Sequence, residues 1–407
     1  MIDRKTVQRL RRQIPMMERH VYMNWGHSGP SPRPVLKAVQ EVLERESRLG
    51  PSHPDVRERR DVLFAQARRV LGRIIGARAD EITLTDNATT GVNLIACSLR
   101  WKRNDEVIIS NAEHPGGYLP WFVLRDQEGV KVHQVPIDGD DGRFLEALKK
   151  KINRRTRLIC ISHVAWLSGY RYPLREVAEL AKGRGIYLMV DGAQAAGAIK
   201  IDVRNLGCDF YTLPGQKWLL GPQGTGALFV RGNLRGTLIL PGAGYETAGE
   251  KDLASATYLP YPDGRRFELA TKSTALFAGL AAGAENALRL GPASIERRIL
   301  DLAGRLLDRI EDISGIELLS YRPTGRGKAH SGLVSVRIPG IPAAAVVDEL
   351  IRRERVLVRE VPAYPPGVRI SLHYLNLAEE VDRVAEVLER LCARVARTRR
   401  KDHVRRR

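Results

Sequence analysis

The chain has 407 residues and a mass of 45.5 kDa, with 43% hydrophobic and 28% charged side chains. These values exclude a mainly disordered chain, a collagen-like repeat and a polytopic membrane protein, and no run approaches the ~18 apolar residues that a spanning helix needs. Lys and Arg number 66 against 47 Asp and Glu, a net charge of +19, of which residues 394–407 carry +7. Such a balance permits contact with a polyanion, a membrane surface or an acidic ligand, and says nothing about fold.

Residues 1–20 read as a polar helical arm. Pro30, Pro32 and Pro34 then interrupt regular structure ahead of helices expected over 35–48 and 57–75. Short apolar strands alternate with helices from there on. Strands are expected at 82–85, 107–110, 158–161, 186–190, 210–213 and 227–230, with helices at 88–99 and 174–183. Apolar runs that do not strictly alternate, separated by helices, predict an α/β fold with a mostly parallel central sheet. After about residue 265 the pattern changes to long helices at 274–290 and 295–314, strands at 332–338 and 368–372, and helices at 343–353 and 377–397. This reads as a smaller α+β domain. The expected organisation is an arm at 1–20, a large domain at 21–270, a small domain at 271–393 and a basic tail at 394–407.

In a parallel sheet, ligands gather at the carboxyl ends of the strands. Three features fall there. Thr85-Asp86-Asn87-Ala88-Thr89-Thr90-Gly91 joins a strand to a helix, and N–H groups at a helix start favour an anion such as phosphate, although Asp86 or Asn87 reads equally as a helix cap. Asp191 ends the strand 186–190, where it serves either beneath a cofactor ring or as another cap. Lys217 follows the strand 210–213 among glycines that allow close backbone approach. Together, an anion cradle, a carboxylate and a lysine are what pyridoxal 5'-phosphate (PLP) requires: N–H groups for the phosphate, an acid for the ring nitrogen and an amine for the aldehyde.

On these residues the chain resembles the class V aminotransferase superfamily of fold-type I PLP enzymes, which includes cysteine desulfurases, cysteine C–S lyases and isopenicillin N epimerase-like proteins. The resemblance runs from about Tyr22 to about Leu391. It is carried by Asp191-Gly-Ala-Gln194, Gly215-Gln-Lys-Trp-Leu219 with the glycines up to Gly226, Glu113-His114 with Pro120-Trp121, and Arg266-Phe-Glu-Leu-Ala-Thr271. It implies that Lys217 holds the cofactor, Asp191 pairs with the ring nitrogen and Gln194 bonds the ring hydroxyl. It further implies that Ala88 and Thr89 hold the phosphate, that His114 stacks on the ring and helps move protons, and that Thr271 reaches the phosphate in the neighbouring subunit. Arg369 would clamp the substrate carboxylate.

Several positions depart from the family pattern. Pro214 and Gln216 stand where many relatives carry Ser and His; Pro214 cannot donate, while Gln216 remains a phosphate donor. Trp166 replaces a common Asn, as in the C–S lyase and epimerase-like branch, and would widen the apolar pocket wall. Tyr245 and Tyr364 are further expected pocket residues. Desulfurases that form a persulfide use a cysteine on a small-domain loop, and none lies between Cys208 and Cys392. Cys97 and Cys160 read as buried helix and strand residues and Cys392 as core, which disfavours persulfide transfer. The four cysteines contain no CxxC pair, so neither a disulfide framework nor a metal site is expected.

The resemblance implies a homodimer with a composite active site. The expected reaction is C–S cleavage of a cysteine- or cystine-like amino acid, with transamination or epimerisation as the alternative. The N-terminus lacks an apolar signal core, so a cytoplasmic location is expected without a membrane partner. No nucleic-acid-binding motif appears, and the basic tail alone does not predict such a partner.

Overall fold

The structure is a computed structural model and describes residues 2–361 and 366–405. The chain forms two compact units. One comprises Pro30–Val164 and Tyr172–Pro292; the other comprises Met1–Gly29, Ala165–Arg171 and Ala293–Arg407.

The larger unit is built on seven strands: β1 (Ile82–Thr85), β2 (Glu106–Ser110), β3 (Lys131–Val135), β4 (Thr156–Ser162), β5 (Tyr187–Asp191), β6 (Phe210–Pro214) and β7 (Gly226–Val230). Their order across the sheet is β1-β7-β6-β5-β4-β2-β3. The β2–β3, β2–β4, β4–β5 and β5–β6 pairs are parallel, and β7 runs antiparallel to both its neighbours. The expected mostly parallel α/β sheet is therefore observed. Central strands are apolar throughout because both faces are buried, as in Val107-Ile108-Ile109 and Leu158-Ile159-Cys160-Ile161. Edge strand β3 was not expected. Its sequence, Lys-Val-His-Gln-Val, exposes Lys131 and Gln134 and has no continuous apolar run.

The longer helices of this unit are α1 (Arg33–Leu49), α2 (Pro54–Ile75), α3 (Ala88–Ser98), α4 (Pro115–Glu128), α5 (Asp141–Lys151), α6 (Leu174–Ala181) and α7 (Thr274–Leu290). Helices α1 and α2 pack on α7, α3 on β6 and β7, and α4 on β3 and β4. Proline at the first turn and left-handed glycine at the end set the limits of α2 (Pro54, Gly76) and α4 (Pro115, Gly129). A hairpin, Ala248–Asp252 with Thr257–Pro260, was also unforeseen, because its residues are polar and largely exposed.

The smaller unit holds a four-stranded antiparallel sheet in the order Glu317–Leu318, Leu333–Arg337, Gly367–Ser371, Arg359–Val361. Leu302, Leu306, Val334, Ile370, Val384 and Leu388 form its core. The N-terminal helix Arg4–Arg11 buries Val7 and Leu10 here, and Arg11 pairs with Glu380 at 2.6 Å. The closing helix spans Ala378–Arg405, beyond the end expected near residue 397, because no Pro or Gly interrupts that stretch.

Candidate active site

Strand β5 delivers Asp191 to the carboxyl edge of the sheet, in register with Ser162 of β4 and Thr212 of β6. Asp191 is buried, and Oδ1 accepts the Ala193 N–H at 2.9 Å. Burial pushes its carboxyl pKa up, opposed first by the charge of Lys217 and then by the Ala193 bond. Lys217, half-buried in the turn after β6, thus sits within the field of Asp191. Gln194 is buried and its Oε1 accepts the Trp218 Nε1–H at 3.1 Å, tying the Asp191 loop to the Lys217 loop. Gly197 makes that closeness feasible: its φ is +95°, and a Cβ there would lie 2.7 Å from the Trp218 carbonyl carbon. Gln216 is half-buried beside Lys217.

Two helix starts converge at the same edge. Asn87 caps α3, with Oδ1 accepting from the Thr90 N–H at 2.9 Å. Ala88 is buried, and Thr212 Oγ1 donates to its carbonyl at 2.9 Å, which seats the start of α3 beside β6. The first-turn N–H groups of Ala88 and Thr89 have no acceptor within the helix. His114 is exposed and caps α4, its Nδ1 accepting the Gly116 N–H at 3.1 Å. A Cβ on Gly116 would collide with Thr89 Oγ1, so the two starts are in contact. The sequence places Glu113 in a family motif but assigns it no role: it is buried and bonded to Ser110 and Ser162, and its place before the helix-opening His114-Pro115 was the available signal.

Arg369 and Trp166 both belong to the smaller unit. Arg369 is 1% exposed, and its Nη1 donates to the Trp166 carbonyl at 2.8 Å. Nε and Nη2, which form the fork suited to a carboxylate, are buried without a partner among the described residues. Burial first, and then Arg359 opposite it on the neighbouring strand, push the Arg369 pKa down to about 9. Thr271 is exposed ahead of α7, and among the described residues no hydrogen bond joins it to the other candidates. Tyr245 is 69% exposed. Tyr364 lies outside the described residues.

One cysteine departs from expectation. Cys160 and Cys392 are buried, but Cys97 is exposed. On α3, Thr89, Asn93 and Cys97 recur every four residues along the solvent stripe, while Val92, Ile95 and Ala96 face inward. All four cysteines are free. Among the described residues, no cluster of three or more His, Cys, Asp or Glu has metal-holding geometry.

The family model for aminotransferase class-V matches residues 21–384. A probable cysteine desulfurase of Methanothermobacter thermautotrophicus is 30% identical over 402 residues, covering 94% of this chain and 97% of that protein. Isopenicillin N epimerase of Streptomyces clavuligerus is 30% identical over 387 residues, covering 91% and 94%. Among solved structures, a mutant of C-DES with glycine covalently linked to its PLP cofactor superposes with a TM-score of 0.85 at 26% identity, over 93% of this chain and 98% of that one. A second C-DES structure is described as a cystine C–S lyase in complex with its reaction product, cysteine persulfide. The chain belongs to the class-V aminotransferase family.

Proposed function

We propose that this chain is a PLP-dependent enzyme that cleaves the C–S bond of cysteine or cystine. The observation that carries the cofactor reading is the buried Asp191 carboxyl at the end of β5, opposed by Lys217 from the turn after the adjacent strand. A buried acid suits a protonated ring nitrogen, a half-buried amine suits an aldehyde, and the α3 start with Thr89 suits a phosphate. The donor set therefore fits PLP, with Lys217, Asp191, Gln194, Ala88, Thr89, Gln216 and His114 as its holders.

When bound, PLP supplies an aldehyde for the substrate amine and an electron-withdrawing ring that weakens the Cα–H bond. The chain's own residues divide the remaining work. Arg369 would fix the substrate carboxylate through Nε and Nη2. Lys217 removes the Cα proton. Asp191 would hold its charge toward the ring nitrogen, and His114 would cover the ring and assist proton transfer. Loss of the Cα proton with departure of the β-sulfur completes the elimination, and hydrolysis of the unsaturated product gives pyruvate and ammonia.

The sulfur leaves as a small molecule in this reading. Residues 359–367 contain no cysteine, and Cys160 and Cys208 are buried with their thiols pushed up, Cys208 to about 12. The relative named isopenicillin N epimerase supports epimerisation as the second reading, with transamination beside it. The proposal includes a homodimer in which Thr271 reaches the partner's cofactor, and a cytoplasmic location. Among the described residues no helix is long and apolar enough to cross a membrane.

A substrate panel tests the reaction. Pyruvate with sulfide or persulfide from cysteine or cystine supports elimination. A new amino acid formed from an added keto acid would indicate transamination, and inversion at Cα without either product would indicate epimerisation.

A further inference from the structure

Glu113 stands at the end of the β2 edge, just before α4, and is 6% exposed. Ser110 Oγ donates to its Oε1 at 2.5 Å, the Ser162 N–H donates to Oε1 at 3.2 Å, and Ser162 Oγ donates to Oε2 at 2.6 Å. Ser110 Oγ also meets Tyr172 OH at 2.6 Å, with either as donor. A Cβ built on Gly117 would lie 3.6 Å from Glu113 Oε2 and 3.7 Å from Asp191 Oδ2, so the two carboxyls face the same point of α4. The titratable groups around Glu113 are Asp191 from β5, Cys160 from β4 and Tyr172. Among the described residues no Lys, Arg or His forms an ion pair with it.

We propose that Glu113 is a positioning residue that forms a coupled pair with Asp191, taking up the proton that leaves Asp191 ionised toward the cofactor ring. This inference rests on the PLP reading above. Two buried negative charges repel, and only Asp191 faces a cation, Lys217. The acid with the counter-charge keeps its charge, and the acid without one takes the proton. Burial, with a smaller addition from Asp191, accordingly lifts Glu113 to about 7 against the opposing serine bonds. The hydroxyl chain accommodates both states. Ionised Glu113 accepts from Ser110; protonated Glu113 donates to Ser110, whose own proton turns to Tyr172. Binding of a cationic ring beside Asp191 favours ionised Glu113, so a proton leaves Glu113 for solvent as the cofactor binds.

The test is the PLP dissociation constant of apo-protein from about pH 5.5 to 8.5 for wild type, Glu113→Gln and Ser162→Ala. Below about pH 6 wild-type Glu113 is neutral with and without PLP, as Gln is, and the two proteins should bind alike. Above it the wild type gains a second negative charge and should bind about tenfold more tightly than Glu113→Gln. Ser162→Ala removes a bond that favours the carboxylate, so its affinity inflection should move to higher pH. A purely structural role would lower affinity equally at every pH. Parallel wild-type and Gln curves, or an unmoved inflection in Ser162→Ala, would overturn the proposal. If Glu113→Gln does not fold, the Ser162→Ala inflection decides alone. Wild-type apo-protein that binds no PLP would instead overturn the cofactor reading itself.

Discussion

Replacing Arg369 with Met should make this protein more stable while removing most of its activity. Among the described residues, the wild-type guanidinium is buried with Nε and Nη2 unpartnered and Nη1 bonded to the Trp166 carbonyl. A pKa pushed down to about 9 corresponds to roughly 5 kcal/mol of charge-burial cost at ~1.36 kcal/mol per pH unit, taken as an upper bound. Met removes that cost and forfeits the bond to Trp166, worth about 1.5–3 kcal/mol. Arg369→Met should therefore gain about 1–3 kcal/mol in urea denaturation of the substrate-free protein. Two charge-assisted bonds to a substrate carboxylate are lost at the same time. At ~1.5–3 kcal/mol each, kcat/KM for cystine should fall about 10²–10⁴-fold. A variant less stable than wild type, or one that keeps its kcat/KM, would refute the claim that this side chain is held in place for an anion.

Lys217→Ala should bind the cofactor without the wild-type visible absorbance band and should lose pyruvate formation; an unchanged absorbance spectrum would remove Lys217 from its assigned role. Replacing all four cysteines with Ser or Ala should leave the initial rate of sulfur release within about twofold, provided the protein stays folded by circular dichroism, since no thiol is assigned to the chemistry. Gly116→Ala forces a methyl group into Thr89 Oγ1 and should destabilise the fold by about 1–3 kcal/mol and weaken PLP binding, whereas Thr89→Ser with Gly116→Ala should recover little of either because the oxygen remains.

The sequence made the central strands legible because burial on both faces requires continuous apolar runs, as in Val107-Ile108-Ile109. It did not reveal Lys131–Val135, an edge strand in which exposed Lys131 and Gln134 and half-buried His133 leave no apolar run. The positions of Asp191 and Lys217 at strand ends followed from the strands themselves. Glu113 was harder to read: an acid between Ala112 and His114 looks solvated, and its burial comes from Ser162 on β4, 49 residues away. The closeness of Arg359 to Arg369 depends on an antiparallel register that no local pattern encodes. Cys97 was readable, because its four-residue spacing from Thr89 and Asn93 places it on the outer stripe of α3.

The buried ions of this chain fall into two kinds, and the division separates fold from chemistry. Glu81 meets Arg204 at 2.7 Å, Glu106 meets Arg155 at 3.0 Å, and Glu268 meets Arg68 at 2.9 Å. In each, the cost of burying charge is offset within the chain by a partner that the folded state supplies. Arg369 has no acid within ion-pair distance among the described residues, and Glu113 has no cation. A fold gains nothing from leaving such groups uncompensated, so their compensation must come from outside the chain or from a neighbouring proton. For Arg369 the fork geometry selects a carboxylate. For Glu113 burial and the nearby Asp191 select a proton, against three donors that favour the carboxylate, and that proton leaves when the cofactor binds. The net charge of +19 is thus a poor guide to function, because the cation assigned to the substrate is buried between Ser335 and Arg359 of the neighbouring strands and the acid set beside Asp191 carries no charge when protonated.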